Sequence, residues 1–207
     1  YRVDNVLDEV YESQRPSGAW FDTTGYDTIE TTVNYALPEN VEKIVSVSAT
    51  GLALTGNAGG NWLIGGVGAD TLVGGDGADI LDGGVGNDLL NGGADYNTYW
   101  VGRGDGQDTI AAGDATATGR GNQLAFKAEA NVAPIDIRLK RVDDPVWGSG
   151  GSLEVAIAGT ADKIVVQGFF ANGSSSDAHN PVQQIPSLSG IDKRNQGIAY
   201  FQFHVVN

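Results

Sequence analysis

The sequence predicts an all-β protein organised as a parallel β-roll, with spacer coils before the roll and a β-rich cap after it. Three observations predict this. Five nine-residue units run without a gap from Gly56 to Trp100: GNAGGNWLI, GGVGADTLV, GGDGADILD, GGVGNDLLN and GGADYNTYW. An apolar residue recurs every ninth position, at Leu63, Leu72, Leu81, Leu90 and Tyr99. The flanking segments alternate apolar and polar residues with strand periodicity, and no amphipathic helical stretch stands out. A fixed nonapeptide period of glycine pairs, an aspartate and an inward apolar residue marks a parallel β-roll.

The elements follow in order. Residues 1–55 contain YRVDNV, DTIETTVNYAL, VEKIVSV and LALTG, short strands that lack glycine pairs and read as spacer coils without metal. Residues 56–111 are the roll, because an offset sixth unit, RGDGQDTIA, spans Arg103 to Ala111. Residues 112–207 read as a cap. They carry the longer strands NQLAF, IDIRLKRV, SLEVAIA, DKIVVQGFF and IAYFQFHVV, with Gly148 to Ser152 and Gly173 to Asn180 as loops. A cap is needed because a solenoid exposes unpaired strand edges at its last coil.

Composition narrows the function. The chain has 207 residues, with 12 Lys plus Arg against 26 Asp plus Glu, for a net charge of −14. Such a surface disfavours nucleic acid and anionic lipid and suits multivalent cations. Cysteine is absent, so neither disulfides nor thiol chemistry is available. No apolar run approaches the roughly 18–20 residues of a membrane span. The start, YRVDNVLDEVYE, lacks the features of a secretory signal peptide and reads as the interior of a longer chain.

The repeat pattern points to calcium. Each unit is a glycine turn followed by a short strand whose eighth residue faces a narrow core. The turn aims backbone carbonyls at one point, and the sixth residue adds a carboxylate. Ca²⁺ takes six to eight oxygen ligands at roughly 2.3–2.6 Å in a tolerant geometry. Two stacked turns can supply them where one cannot. Two units make one coil, so alternate units share an edge. One edge then carries Asn61, Asp79 and Asn97, and the other Asp70, Asp88 and Asp108. Stacked carboxylates repel, so the roll is expected to be loose or unfolded without the cation.

The block GGVGADTLVGGDGADILDGGVGNDLLN resembles the RTX (repeats-in-toxin) haemolysin-type calcium-binding family. YDTIETTVNYALPENVEKIVSV is similar to its spacer coils, and NQLAF, SLEVAIAGTADKIVVQGFF and NPVQQI to the β-rich segment closing such blocks. The resemblance implies Ca²⁺ as the bound ion. It implies as ligands the carboxylates of Asp70, Asp79, Asp88 and Asp108, and the amides of Asn61 and Asn97. Carbonyls would come from Gly65, Gly66, Gly68, Gly74, Gly75, Gly77, Gly83, Gly84, Gly86, Gly92, Gly93, Gly104 and Gly106. It further implies export by type I secretion machinery, folding outside the cell, and a secreted or bacterial-surface location within a larger protein. A ligand-binding or adhesion module, contacting a surface glycan or a protein, is the alternative function.

Other constellations are weaker. His179 and His204 are the two histidines, and no zinc-hydrolase, nucleophile-elbow or phosphate-loop motif occurs, so no enzyme is expected. Asp143 and Asp144 read as a solvated turn before Pro145. Asp76 and Asp105 sit at the outward third turn position, where each either adds to an ion site or is solvated. Trp62 and Trp100 flank the inward position and face outward, either as packing or as a ligand platform.

Overall fold

A computed structural model describes residues 1–5, 8, 10, 26–111, 122–127, 136–144, 148–169 and 198–199. Sixteen β-strands and no α-helix occur among them. The chain zigzags between two eight-stranded sheets. The first sheet is ordered β1 (Arg2–Val3), β2 (Thr28–Thr31), β4 (Lys43–Ser46), β6 (Trp62–Ile64), β8 (Ile80–Asp82), β10 (Thr98–Val101), β12 (Gln123–Lys127) and β16 (Ile198–Ala199). The second is ordered β3 (Tyr35–Ala36), β5 (Ala53–Thr55), β7 (Thr71–Gly75), β9 (Leu89–Gly93), β11 (Gln107–Ile110), β15 (Lys163–Val166), β14 (Gly148–Ile157) and β13 (Ile137–Asp144). Pairing is parallel from β1 through β12 and from β3 through β15. This is the parallel β-roll that the repeat period predicts.

The period sets the core. Ile29, Ile44, Leu63, Leu81, Tyr99 and Leu124 are register partners across the first sheet. Leu54, Leu72, Leu90, Ile110 and Val166 line up across the second. All are at most 1% exposed, so the ninth-residue periodicity marks the core. Burying each such side chain contributes about 1.5–3 kcal/mol. Where the last unit places Tyr99 instead of leucine, its phenol oxygen accepts the Gly92 N–H at 3.0 Å, so the buried hydroxyl is satisfied.

The parallel pattern continues past Ala111 for another coil, through β12 and β15. Antiparallel strands β14 and β13 then extend the second sheet, and β16 pairs antiparallel with β12. The stretch Gly148 to Ser152, expected as a loop, is strand instead, because it pairs with the end of β13 across a register shift near Val142 to Asp144. The expected loop at Gly173 to Asn180 lies outside the described residues, as do His179 and His204.

Candidate metal centre

The turns between the sheets stack along two edges. On the first edge each carboxylate reaches the turn before it. Asp70 Oδ1 accepts the Leu52 N–H at 2.6 Å, Asp88 Oδ1 the Asp70 N–H at 2.7 Å, and Asp108 Oδ1 the Asp88 N–H at 3.1 Å. On the second edge Asp79 Oδ1 accepts the Asn61 N–H at 2.8 Å and Asn97 Oδ1 the Asp79 N–H at 2.9 Å. The structure therefore brings Asp70, Asp88 and Asp108 together on one edge and Asn61, Asp79 and Asn97 on the other. These bonds fix the stacking register of the turns, and each uses one oxygen of the side chain.

The second oxygens differ sharply. Oδ2 of Asp70, Asp79 and Asp88 is buried in each case with no hydrogen-bond partner. Leaving a buried carboxylate oxygen unsatisfied costs roughly 1–3 kcal/mol or more. Burial is the main reason that Asp70 is pushed up to about 6, Asp79 to about 7 and Asp108 to about 8. Asp88 is also raised by burial, against the lowering effect of hydrogen bonds from the Asp70 backbone and with the Asp108 side chain. Neighbouring carboxylates add to the shift at Asp70, Asp79 and Asp108. The unpartnered Oδ2 atoms of Asp70, Asp79 and Asp88 are free to accept a cation. Among the described residues no three His, Cys, Asp or Glu side chains cluster as a metal cage. Backbone carbonyls beside these Asp and Asn side chains would offer an ion a hard oxygen set, which fits Ca²⁺.

The glycines serve two ends. Second-position residues such as Gly66 and Gly84 adopt φ of 89° and 88°, which a side chain resists. First-position glycines do not. A Cβ on Gly74 or Gly83 would overlap the carboxylate of Asp79 or Asp88. Their smallness makes room for the acid rather than permitting an unusual backbone.

Three stretches, residues 55–90, 64–99 and 83–107, match the family model of the RTX calcium-binding nonapeptide repeat. The chain carries RTX repeats. Calcium is the ion that these repeats bind. No curated protein matches the chain.

Several residues around the RTX roll escaped the sequence reading. Asn122 Oδ1 accepts the Asn97 N–H at 2.6 Å and extends the second edge. The glycines and Leu124 around it mimic a repeat, but an insertion places it 25 residues from Asn97 rather than 18. Asp162 accepts the Gly104 and Gly106 N–H groups at 2.8 and 3.2 Å, so it caps the last RTX turn. Lys127 reaches Asp82 at 2.6 Å and Asp105 at 3.1 Å. Burial would lower the lysine, yet Asp82 and Asp105 outweigh it and hold it above its usual value. Asp105 is 6% exposed, so the outward placement expected for it is wrong. Its carboxylate turns back to accept the Gly102 N–H. No spacing rule joins Lys127 to Asp82, because the two meet only across the folded sheet.

Trp62 and Trp100 lie half-buried on the outer face of the first sheet, with ring centroids 5.7 Å apart and planes tilted by 55°. Lys43 Nζ sits 3.9 Å over the Trp62 ring. The pair spans β8, with the Lys43 ammonium making a cation–π contact to one of the two rings.

Proposed function

We propose that the chain is a calcium-loaded folding module: Ca²⁺ binding outside the cell drives the roll to fold and so supports the secretion and stability of a larger extracellular protein. The observation that carries it is the set of three buried, unpartnered Oδ2 atoms on Asp70, Asp79 and Asp88. The ligands are Asp70, Asp88 and Asp108 on one edge and Asp79 with Asn61 or Asn97 on the other. Carbonyls of the turn glycines complete each shell. The ion supplies positive charge between stacked acids, and its binding free energy becomes folding free energy. The chain's own residues hold the turns in register, exclude water through the leucine columns and close the last turn through Asp162 and Lys127.

On this reading residues 1–55 are spacer coils, 56–111 the calcium roll and 112–207 the cap. The module is secreted or surface-attached, exported by type I machinery, and performs no catalysis. Isothermal titration calorimetry with Ca²⁺, against Mg²⁺ as control, tests it. Calcium should bind with a large folding heat, and Mg²⁺ poorly, because it demands a tighter octahedron and sheds water reluctantly. Equal binding of the two ions, or none of calcium, would refute it.

A further inference from the structure

The first repeat, GNAGGNWLI, departs from the template at its second and sixth residues, Asn57 and Asn61. Both departures meet in one place. The turn of residues 37–42 stacks on the turn of residues 56–61 at the start of the second edge. Asn57 Nδ2 donates to the Pro38 carbonyl at 2.7 Å and to the Val41 carbonyl at 2.9 Å. Its Oδ1 accepts the Gly59 N–H at 2.8 Å and Asn61 Nδ2 at 3.1 Å. Asn61 Nδ2 also donates to Val41 O at 3.2 Å, and its Oδ1 accepts the Asn57 N–H at 2.7 Å. Both N–H groups of each amide are used, and Asn61 Oδ1 keeps one acceptor position.

The contrast with the aspartate turns is direct. There the second carboxylate oxygen is buried and unpartnered. Here the corresponding side chains are neutral, and their N–H groups take the carbonyls that would otherwise face a cation. Asn97 does the same on a smaller scale, with Nδ2 donating to Ala94 O at 3.0 Å. Calcium affinity falls as ligand charge is removed, and no carboxylate takes part in the Asn57–Asn61 network, Glu39 and Glu42 lining the cleft outside it.

We propose that Asn57 and Asn61 form an amide plug that takes the place of an ion between the 37–42 and 56–61 turns, so that the preceding coil docks on the roll without calcium. This rests on the reading of the aspartate gaps as calcium sites. A second-position glycine, as at Gly66 or Gly75, could not do this, which explains why this repeat carries asparagine there. An open cleft of about 450 Å³ lies against the plug, lined by Glu39, Glu42, Asn57 and Asn61 among others, so solvent reaches it from outside.

Bound calcium counted per chain by equilibrium dialysis at saturation, on the full chain, tests the plug. Asn57→Ala should leave the count unchanged, while the calcium-loaded chain loses hydrogen-exchange protection at Trp62, whose N–H bonds the Glu42 carbonyl across this gap. The double variant Asn57→Asp/Asn61→Asp converts the donors into carboxylates facing two carbonyls, and should bind one ion more than wild type. Loss of an ion in Asn57→Ala would overturn the plug, as would a double variant that folds in calcium with the wild-type count. If the double variant does not fold, the Asn57→Ala count decides alone. A wild-type chain that binds no calcium would instead overturn the reading on which the plug rests.

Discussion

Replacing Asp88 with asparagine should change the sign of its effect with the ion. Asp88 is the middle acid of its edge: it accepts from Asp70 N–H, its own N–H donates to Asp108, and its Oδ2 has no partner. Asparagine keeps the Oδ1 acceptor and the size, and removes one charge. Stacked turns lie about 4.8 Å apart. Unit charges at that distance repel by about 1–3.5 kcal/mol for effective dielectrics of roughly 80 to 20. Burial already holds Asp70 and Asp108 partly protonated near neutral pH. The relief in chelator therefore sits at the low end, about 1 kcal/mol of stabilisation. On the proposed ligand assignment, the same change in calcium takes an anionic ligand from two neighbouring sites. Removing one partner of a buried ion pair costs about 3–5 kcal/mol. The assay is circular dichroism of wild type and Asp88→Asn, folding the chelated chain with trimethylamine oxide and unfolding the calcium-loaded chain with urea. The variant should be the more stable in chelator and the less stable in calcium, with its calcium midpoint raised at least tenfold. An effect of the same sign in both conditions would refute the reasoning.

Four further outcomes follow from the same geometry. In the folded chain without an ion, burial raises Asp70, Asp79 and Asp108 to about 6, 7 and 8, above the unfolded carboxyl value of about 3.9. The fold favours their protonated forms, so this contribution is complete below about pH 4 and is lost as pH rises through 6 to 8. The chelated chain should show more β signal at pH 5 than at pH 9, while calcium affinity should rise with pH over the same window; the reverse order in circular dichroism or calorimetry would contradict this. Lys127→Met should cost about 3–5 kcal/mol, because it strands the carboxylates of Asp82 and Asp105, and urea melts should show no rescue by excess calcium. Gly84→Ala combines a φ of 88° with overlap on the Gly66 backbone and should lower stability by about 1–3 kcal/mol or more in either condition. Leu81→Ala opens the core at a fully buried position and should cost about 2–5 kcal/mol by urea denaturation of the calcium form.

The roll was legible because its information is periodic. Leu63, Leu72, Leu81 and Leu90 recur at the spacing of half a coil, and that spacing fixes which side chains enter the core and which turns share an edge. Asp70, Asp79 and Asp88 follow from the same count. What broke the period was harder to read. Asn122 continues an edge across an insertion that hides its register. Asp162 caps a turn from 56 residues beyond Gly106. Lys127 finds Asp82 and Asp105 only once three strands lie side by side. The Gly148 to Ser152 strand looked like a loop because local glycine content outweighed the long-range pairing with β13 that orders it. Asn57 carries no signal in the repeat pattern, yet its amide and that of Asn61 satisfy the Pro38 and Val41 carbonyls.

The measurement that tests the central claim most directly is a calcium titration of the chelated chain followed by far-ultraviolet circular dichroism, with residue-level hydrogen exchange at both ends of the titration. The account predicts weak β signal and little protection across residues 56–111 in chelator, then a cooperative gain of both at millimolar Ca²⁺. A spectrum and an exchange pattern that stay unchanged when calcium is removed would contradict it.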